Sequence, residues 1–249
     1  MTVDPPLDSN ADAAINHDDA LSYWNSVSSD VNGMLGGFPQ TSRIDLLGSR
    51  NFLTKLRRKY SPGKQALPPL RRVADCGAGI GRITKGLLMQ VADQVDVVEP
   101  VKKFTDELIA SVQEAGAEEQ KAKLGHIFNA GLQDWVPEPG AYDLIWNQWC
   151  LGHLTDAQLV AYLVRCRDGL RRGDVGEPNK NAYIVVKENL STDIWQKDIF
   201  DAEDSSVTRS DEKFRKLFKE ADLTLVDTEL QKGFPKELFP VRVYALRPM

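Results

Sequence analysis

Cysteine is scarce in this chain of 249 residues, and the three that occur, Cys76, Cys150 and Cys166, lie far apart in apolar surroundings. That spacing is neither a disulfide framework nor a zinc-ligand pattern, so it suits a reducing compartment and implies no bound metal. Long apolar runs are lacking too, and none approaches the roughly 18 residues that mark a membrane-crossing helix. Positive charge is not in excess: 31 Lys and Arg stand against 36 Asp and Glu, for a net charge of −5. A nucleic-acid backbone is therefore a poor partner, because binding it calls for a basic surface. The balance is compatible with a cationic substrate but too mild to establish one. Residues 1–18 are polar and acidic, with neither the apolar core of a secretory signal nor the character of a mitochondrial presequence. The expectation is a flexible acidic tail on a protein of the cytoplasm, the nucleus or both. Internal repeats and low-complexity segments are absent.

What is present is an ordinary globular composition, 42% apolar and 27% charged, on a chain long enough to bury a large core. Its organising stretch is Val73-Ala74-Asp75-Cys76-Gly77-Ala78-Gly79-Ile80-Gly81-Arg82, followed by an apolar pattern at helical spacing through Met89. This reads as a strand, a glycine turn and a helix start, a turn that lets backbone approach a ligand closely. The G-x-G-x-G spacing is one residue shorter than the dinucleotide motif, which favours a nucleoside without a pyrophosphate. Glu99 closes a second apolar run 22 residues after Gly77, a position suited to ribose hydroxyls. The combination resembles the class I S-adenosylmethionine (SAM)-dependent methyltransferases, in which the glycine loop passes beneath the cofactor.

The rest of the chain supports an α/β fold. A short helix over 19–25 leads to Val31-Asn32-Gly33-Met34-Leu35-Gly36-Gly37-Phe38-Pro39, too apolar for a solvent loop and thus either a structural flap or a cover for a site. Thr41 to about Tyr60 reads as a second helix, ended by Ser61-Pro62-Gly63. We therefore expect a helical cap and substrate flap over 19–66 and a SAM-binding domain over 67–249. Strands are expected at 126–130, 142–146 and 182–187, with helices beginning near Phe104, at the Thr155/Gln158 capping box and before Phe214. Two terminal runs, 223–227 and 241–246, look like a closing hairpin. Strands alternating with helices imply a mostly parallel, Rossmann-like sheet with helices on both faces and ligands beyond its carboxyl ends.

Those ends carry the unusual residues. Gly131-Leu132-Gln133-Asp134 follows the third strand, and Trp146-Asn147-Gln148-Trp149-Cys150-Leu151-Gly152-His153 follows the fourth. After the fifth comes Lys187-Glu188-Asn189, then an insert with Asp193, Asp198, Asp201, Glu203 and Asp204-Ser205-Ser206. Acidic runs are usually solvated faces, but here one follows a core strand at its functional end and could attract an ammonium or guanidinium group.

Together with Trp24 and Asp30-Val31-Asn32-Gly33-Met34-Leu35-Gly36-Gly37, these segments resemble the eukaryotic protein N-terminal α-amine methyltransferases. The likeness runs from about Tyr23 to the C-terminus and implies a seven-stranded class I methyltransferase sheet. It also implies methylation of the free α-amine of proteins beginning X-Pro-Lys or X-Pro-Arg once the initiator Met is removed, ribosomal proteins among them, by a monomer. By that resemblance Gly77, Gly79, Arg82, Glu99, Leu132, Gln133 and Gln148 contact SAM. Trp24, Leu35, Trp149, Asn189, Asp201, Asp204 and Ser206 line a peptide channel, with Asp204 and His153 nearest the reacting amine. Departures are Glu99 where many relatives have Asp, Lys187-Glu188-Asn189 where they have Lys-Asp-Asn, and a longer segment over 173–181. The chemistry requires an in-line attack by a neutral amine, so Asp204 is assigned to positioning and proton acceptance with His153 as partner or relay. A SAM enzyme for a small amine or other metabolite, or a SAM-fold binding module without catalysis, are the readings it competes with.

Overall fold

The computed structural model describes residues 10–61, 63, 66–114, 118–173 and 181–249. Alternation of inward and outward side chains along the strands explains the layering. On the strand Leu70–Cys76 (β1) Val73 faces one apolar cluster and Ala74 and Cys76 the other. Ala92–Val98 (β2), Leu124–Phe128 (β3), Leu144–Gln148 (β4) and Tyr183–Asn189 (β5) complete a parallel set. Two short strands, Ile199–Asp201 (β6) and Ser206–Thr208 (β7), form a separate antiparallel ribbon, and Leu223–Leu230 (β8) and Val241–Pro248 (β9) form the closing hairpin. The main sheet has seven strands in the order β3-β2-β1-β4-β5-β9-β8, with β9 antiparallel to β5. Chain direction around the sheet reverses between β1 and β4, which opens a crevice beyond their carboxyl ends.

The helices are His17–Ser26 (α1), Val31–Met34 (α2), Thr41–Lys59 (α3), Arg82–Gly86 (α4), Lys102–Gln113 (α5), Glu118–Lys123 (α6), Asp156–Gly169 (α7) and Asp211–Glu220 (α8). Leu159, Tyr162 and Leu163 of α7 and Phe214, Leu217 and Phe218 of α8 cover one sheet face. Phe52, Leu53 and Leu56 of α3 and Leu108 and Val112 of α5 cover the other. Thr155 and Gln158 make the expected capping box at the start of α7. Among the described residues no helix is long and apolar enough to cross a membrane.

Several expectations are corrected. The expected boundary near 61–70 crosses a shared cluster, since Phe52, Leu53 and Leu56 of α3 pack with Val73, Leu144 and Val185 of the sheet. Residues 10–18 are not a free tail: Ala11–Ala14 form a 3-10 turn, and α1 begins at His17. The buried Asp12 accepts the Asp156 N–H at 2.7 Å, and the Asn16 N–H donates to Ser205 Oγ at 2.8 Å. Residues 1–9 lie outside the described residues, as does most of the 173–181 segment. The fourth strand starts at Leu144 because Tyr142 is engaged in an isolated bridge to Leu170. The helix after the glycine turn is short, ending at Gly86 and followed by a 3-10 turn over Leu88–Gln90, and Gly86 packs so closely on α3 that a Cβ there would come within 2.8 Å of Leu46.

Candidate active site

Gly77, Gly79 and Gly81 all have positive φ (67°, 54° and 74°), so the turn after β1 is built from conformations that side-chain-bearing residues resist. A Cβ on Gly77 would meet Cys150 Cβ at 2.3 Å, and one on Gly79 would meet Met34 Sδ at 2.6 Å. The Glu99 carboxylate, at the tip of β2, fastens the turn by accepting the Gly79 N–H at 2.9 Å and the Val101 N–H at 2.8 Å. Burial raises the Glu99 carboxyl pKa against those two amides. Asp75, also buried, accepts the Thr84 hydroxyl and has its pKa pushed up to about 7 by burial.

Above this turn lies a cavity of about 500 Å³, within the range of nucleoside-sized ligand sites. Gly77, Gly79, Arg82, Glu99, Leu132, Gln133 and Gln148, the seven residues expected to hold SAM, all line it. His17, Ala20 and Leu21 of α1 form its outer wall. The 131–135 turn is held from behind by Arg165 of α7, which donates to the carbonyls of Leu132, Gln133 and Trp135.

A second cavity of about 290 Å³ adjoins the first and contains Leu35, Asn189, Asp204 and Ser206. Four residues line both: Trp24, Met34, Trp149 and His153. In the apolar 31–39 segment, Met34, Leu35, Gly36 and Phe38 all line this second cavity. Asp201 lines neither cavity. It is exposed at the end of β6, where its carboxylate accepts the Glu203 N–H, with Tyr23 close enough to feel the charge of both acids.

At the junction Trp149 holds a positive φ of 54°, its N–H donating to the Lys187 carbonyl. Glu188 accepts the N–H groups of Cys150 and Leu151, both at 2.9 Å, and the buried Arg209 donates to the carbonyls of Leu151 and Leu154. Those contacts fix the turn that carries His153. Burial lowers the His153 pKa, reinforced by His17 and opposed by the Asp204 carboxylate and the Ser205 backbone, which favours the neutral imidazole. Trp149 Nε1, His153 Nδ1 and Asp204 Oδ1 are buried polar atoms with no hydrogen-bond partner among the described residues. Two of these unsatisfied groups lie where the two cavities meet and the third on the wall of the second cavity, and buried unsatisfied groups beside a cavity mark a place for a polar ligand.

Sequence reasoning missed the residue that ties this region together. Asp45, fully buried on α3, accepts from Arg82 Nη1 at 2.6 Å, Gln148 Nε2 at 2.9 Å and Lys187 Nζ at 2.5 Å. Burial works to raise the Asp45 carboxyl, but the Lys187 ammonium and Arg82 guanidinium outweigh it and hold the pKa below the usual carboxylate value. Two cations share one carboxylate, so the cluster keeps an excess positive charge, with Arg82 at the cavity wall. That charge suits the carboxylate of an amino-acid arm, and the glycine turn suits a close-packed nucleoside, so the residues fit SAM. Arg82 and Gln148 would hold the arm, Glu99 the ribose, and Leu132 and Gln133 the base. The 231–240 loop was also missed: Phe234, Leu238 and Phe239 wall the channel, and the Phe234 ring lies 6.4 Å from that of Trp149. Aromatic residues in a Pro/Gly loop were the available signal.

Glu99→Ala should weaken SAM binding by roughly 1.5–3 kcal/mol, the range for hydrogen bonds to a charged group. Calorimetry on a folded variant checks this, and unchanged affinity would remove Glu99 from the site.

The geometry agrees with what known proteins show. Over residues 12–247 the chain matches the family described as AdoMet dependent proline di-methyltransferases. Alpha N-terminal protein methyltransferase 1 of Schizosaccharomyces pombe is 45% identical over 238 residues, covering 93% of this chain and 96% of that protein. N-terminal Xaa-Pro-Lys N-methyltransferase 1 of Xenopus tropicalis is 41% identical over 228 residues, or 92% of this chain and 93% of that protein. The solved structure of a SAM-dependent methyltransferase from Leishmania major superposes with a TM-score of 0.78 at 36% identity, over 93% of this chain and 82% of that one. A glycine turn fastened by Glu99, a nucleoside-sized cavity and a second channel meeting it at His153 thus accompany sequence identity along nearly the whole chain, which belongs to the AdoMet-dependent proline di-methyltransferase family.

Proposed function

We propose that this chain methylates the free α-amine of proteins beginning X-Pro-Lys or X-Pro-Arg, with SAM as donor and S-adenosylhomocysteine as product. The observation that carries the reading is the meeting of two cavities at Trp24, Met34, Trp149 and His153, with buried, unpartnered polar atoms at that point. When bound, SAM supplies a methyl group made electrophilic by its sulfonium.

The protein's part is to present a neutral amine in line and to keep water out. An α-amine has a pKa of roughly 7.7–8.0, so a large fraction must lose a proton before attack. Asp204 Oδ1, on the wall of the second cavity, is an acceptor atom without a partner among the described residues, and we assign it the proton. His153 cannot take that role as it stands, because its Nε2 already accepts the Trp24 indole N–H at 3.0 Å. Proline at position two is rigid and has no N–H, which suits the slot between Trp24, Leu35 and Trp149. A basic third residue meets the acidic rim formed by Asp201, Glu203 and Asp204 around Tyr23. Ribosomal proteins are natural candidates as targets, and we place the enzyme, as a monomer, in the cytoplasm and nucleus.

Mass spectrometry of an X-Pro-Lys peptide incubated with SAM and the protein should show methyl groups on the α-amine. The N-acetylated peptide should gain none, and Glu in place of Lys at position three should sharply reduce the yield. Equal methylation of the acetylated peptide would overturn the α-amine assignment.

A further inference from the structure

Trp24 and His153 face one another across the junction, with ring centroids 6.1 Å apart and planes at 86°. Indole Nε1 lies 3.0 Å from imidazole Nε2. An indole N–H can only donate a hydrogen bond, so Nε2 must offer its lone pair. A neutral imidazole in that contact carries its proton on Nδ1. Among the described residues that buried nitrogen makes no hydrogen bond of ordinary geometry and feels only the weaker influence of the Ser205 backbone, and Asp204 Oδ1 is likewise unpaired. An unpaired ring nitrogen at the junction and an unpaired carboxylate oxygen on the wall of the adjoining channel therefore both lack a hydrogen-bond partner among the described residues.

We propose that Trp24 is a positioning residue that locks neutral His153 in its Nδ1–H tautomer, so that His153 offers the peptide channel a donor and leaves proton acceptance to Asp204. The inference rests on the proposed function for its catalytic meaning, though the tautomer itself belongs to the protein alone. It gives Trp24 a second task besides forming one wall of the proline slot. Protonating His153 would set a second N–H against the indole donor, so Trp24 also disfavours the imidazolium. The other groups facing the ring act alongside it: the Asp204 carboxylate and Ser205 backbone from the β6–β7 turn favour a ring proton, and His17 on α1 opposes it. Trp24 is itself steadied by edge contacts with Tyr23 and Phe104, at 5.3 and 6.5 Å between ring centroids.

The test is nitrogen NMR of the His153 ring in the full-length protein, without donor or peptide, at neutral pH. The expected spectrum has a protonated Nδ1 and a bare Nε2, with the Nδ1–H form in excess by about tenfold, since the alternative leaves the Trp24 N–H unpaired. Trp24→Phe keeps an aromatic ring but removes the donor. In that variant the Nε2–H form, which a free histidine favours in water, should become the major one. Its titration midpoint should rise by about one pH unit. An Nε2–H spectrum in the wild-type protein would overturn the proposal, as would an unchanged tautomer in a folded Trp24→Phe variant. If Trp24→Phe does not fold, the wild-type spectrum decides alone. The spectra contain no peptide, so failure to methylate X-Pro-Lys would sink the proposed function and leave the tautomer standing. An Nε2–H result would do the reverse.

Discussion

Asp204→Asn should lower turnover on an X-Pro-Lys peptide by roughly 10²–10⁴-fold, the range of a general-base contribution, while SAM affinity changes little. Asparagine preserves size and one acceptor oxygen but can neither take a proton nor neutralise an ammonium. The loss should shrink as pH rises, because solution then delivers more of the peptide as neutral amine. The recovery should flatten above the amine's own pKa, roughly 7.7–8.0 when unperturbed. His153→Asn is the informative comparison. With Nε2 held by Trp24, His153 has no lone pair to offer, so its loss should cost less and show weaker rescue by alkali. Single-turnover rates across about pH 6 to 9 make the comparison. Should His153→Asn prove the more damaging, with the stronger rescue at high pH, the assignment of the proton to Asp204 is wrong.

Asp45→Ala should be the most destabilising single change near the site, at about 3–5 kcal/mol, because it strands the buried Lys187 ammonium and the half-buried Arg82 guanidinium at once. In a chain of this size that corresponds to a fall in Tm of roughly 6–20 °C. Lys187→Met should be milder, since Asp45 keeps its bonds to Arg82 and Gln148. The sign of the pH effect follows from the direction of the shift. Asp45 is held below its ordinary 3.8, so its contribution is present above that pH and lost as pH falls through the lower folded value. Asp45→Ala should therefore be less sensitive to acid over that window than the wild-type protein. Denaturant melts with both variants check the order, and equal losses would mean that Asp45 does not anchor the cluster.

The parts of this site that local spacing controls could be read from residues alone. Three glycines at alternate positions, an acid at the tip of the next strand and a Thr155/Gln158 capping box each impose a geometry on their immediate neighbours. The structure shows that geometry in the positive φ values, the Glu99 bonds and the cap of α7. Asp45 was illegible because its partners are 37, 103 and 142 residues away in sequence. A lone acid on an amphipathic helix reads as solvated, and only the crossing of α3 over the ends of β4 and β5 buries it. Asp12 was missed for the same reason, being an acid in a polar stretch whose partner is a helix N-terminus far along the chain. Asp201, which the resemblance put in the channel wall, lies outside the lining of both cavities, exposed at the end of β6.

Each methyl consumes one donor molecule, so a second methyl on the same amine requires the larger cavity to be emptied and refilled. The two cavities share four lining residues, but their remaining walls come from different pieces of chain. His17, Ala20 and Leu21 of α1 border the donor side, whereas Ser206, Phe234, Leu238 and Phe239 border the peptide side. In the proposed arrangement spent donor and modified tail are bordered by different segments, so the number of methyl groups on a departing tail would depend on how donor exchange and transfer compete with release of the tail.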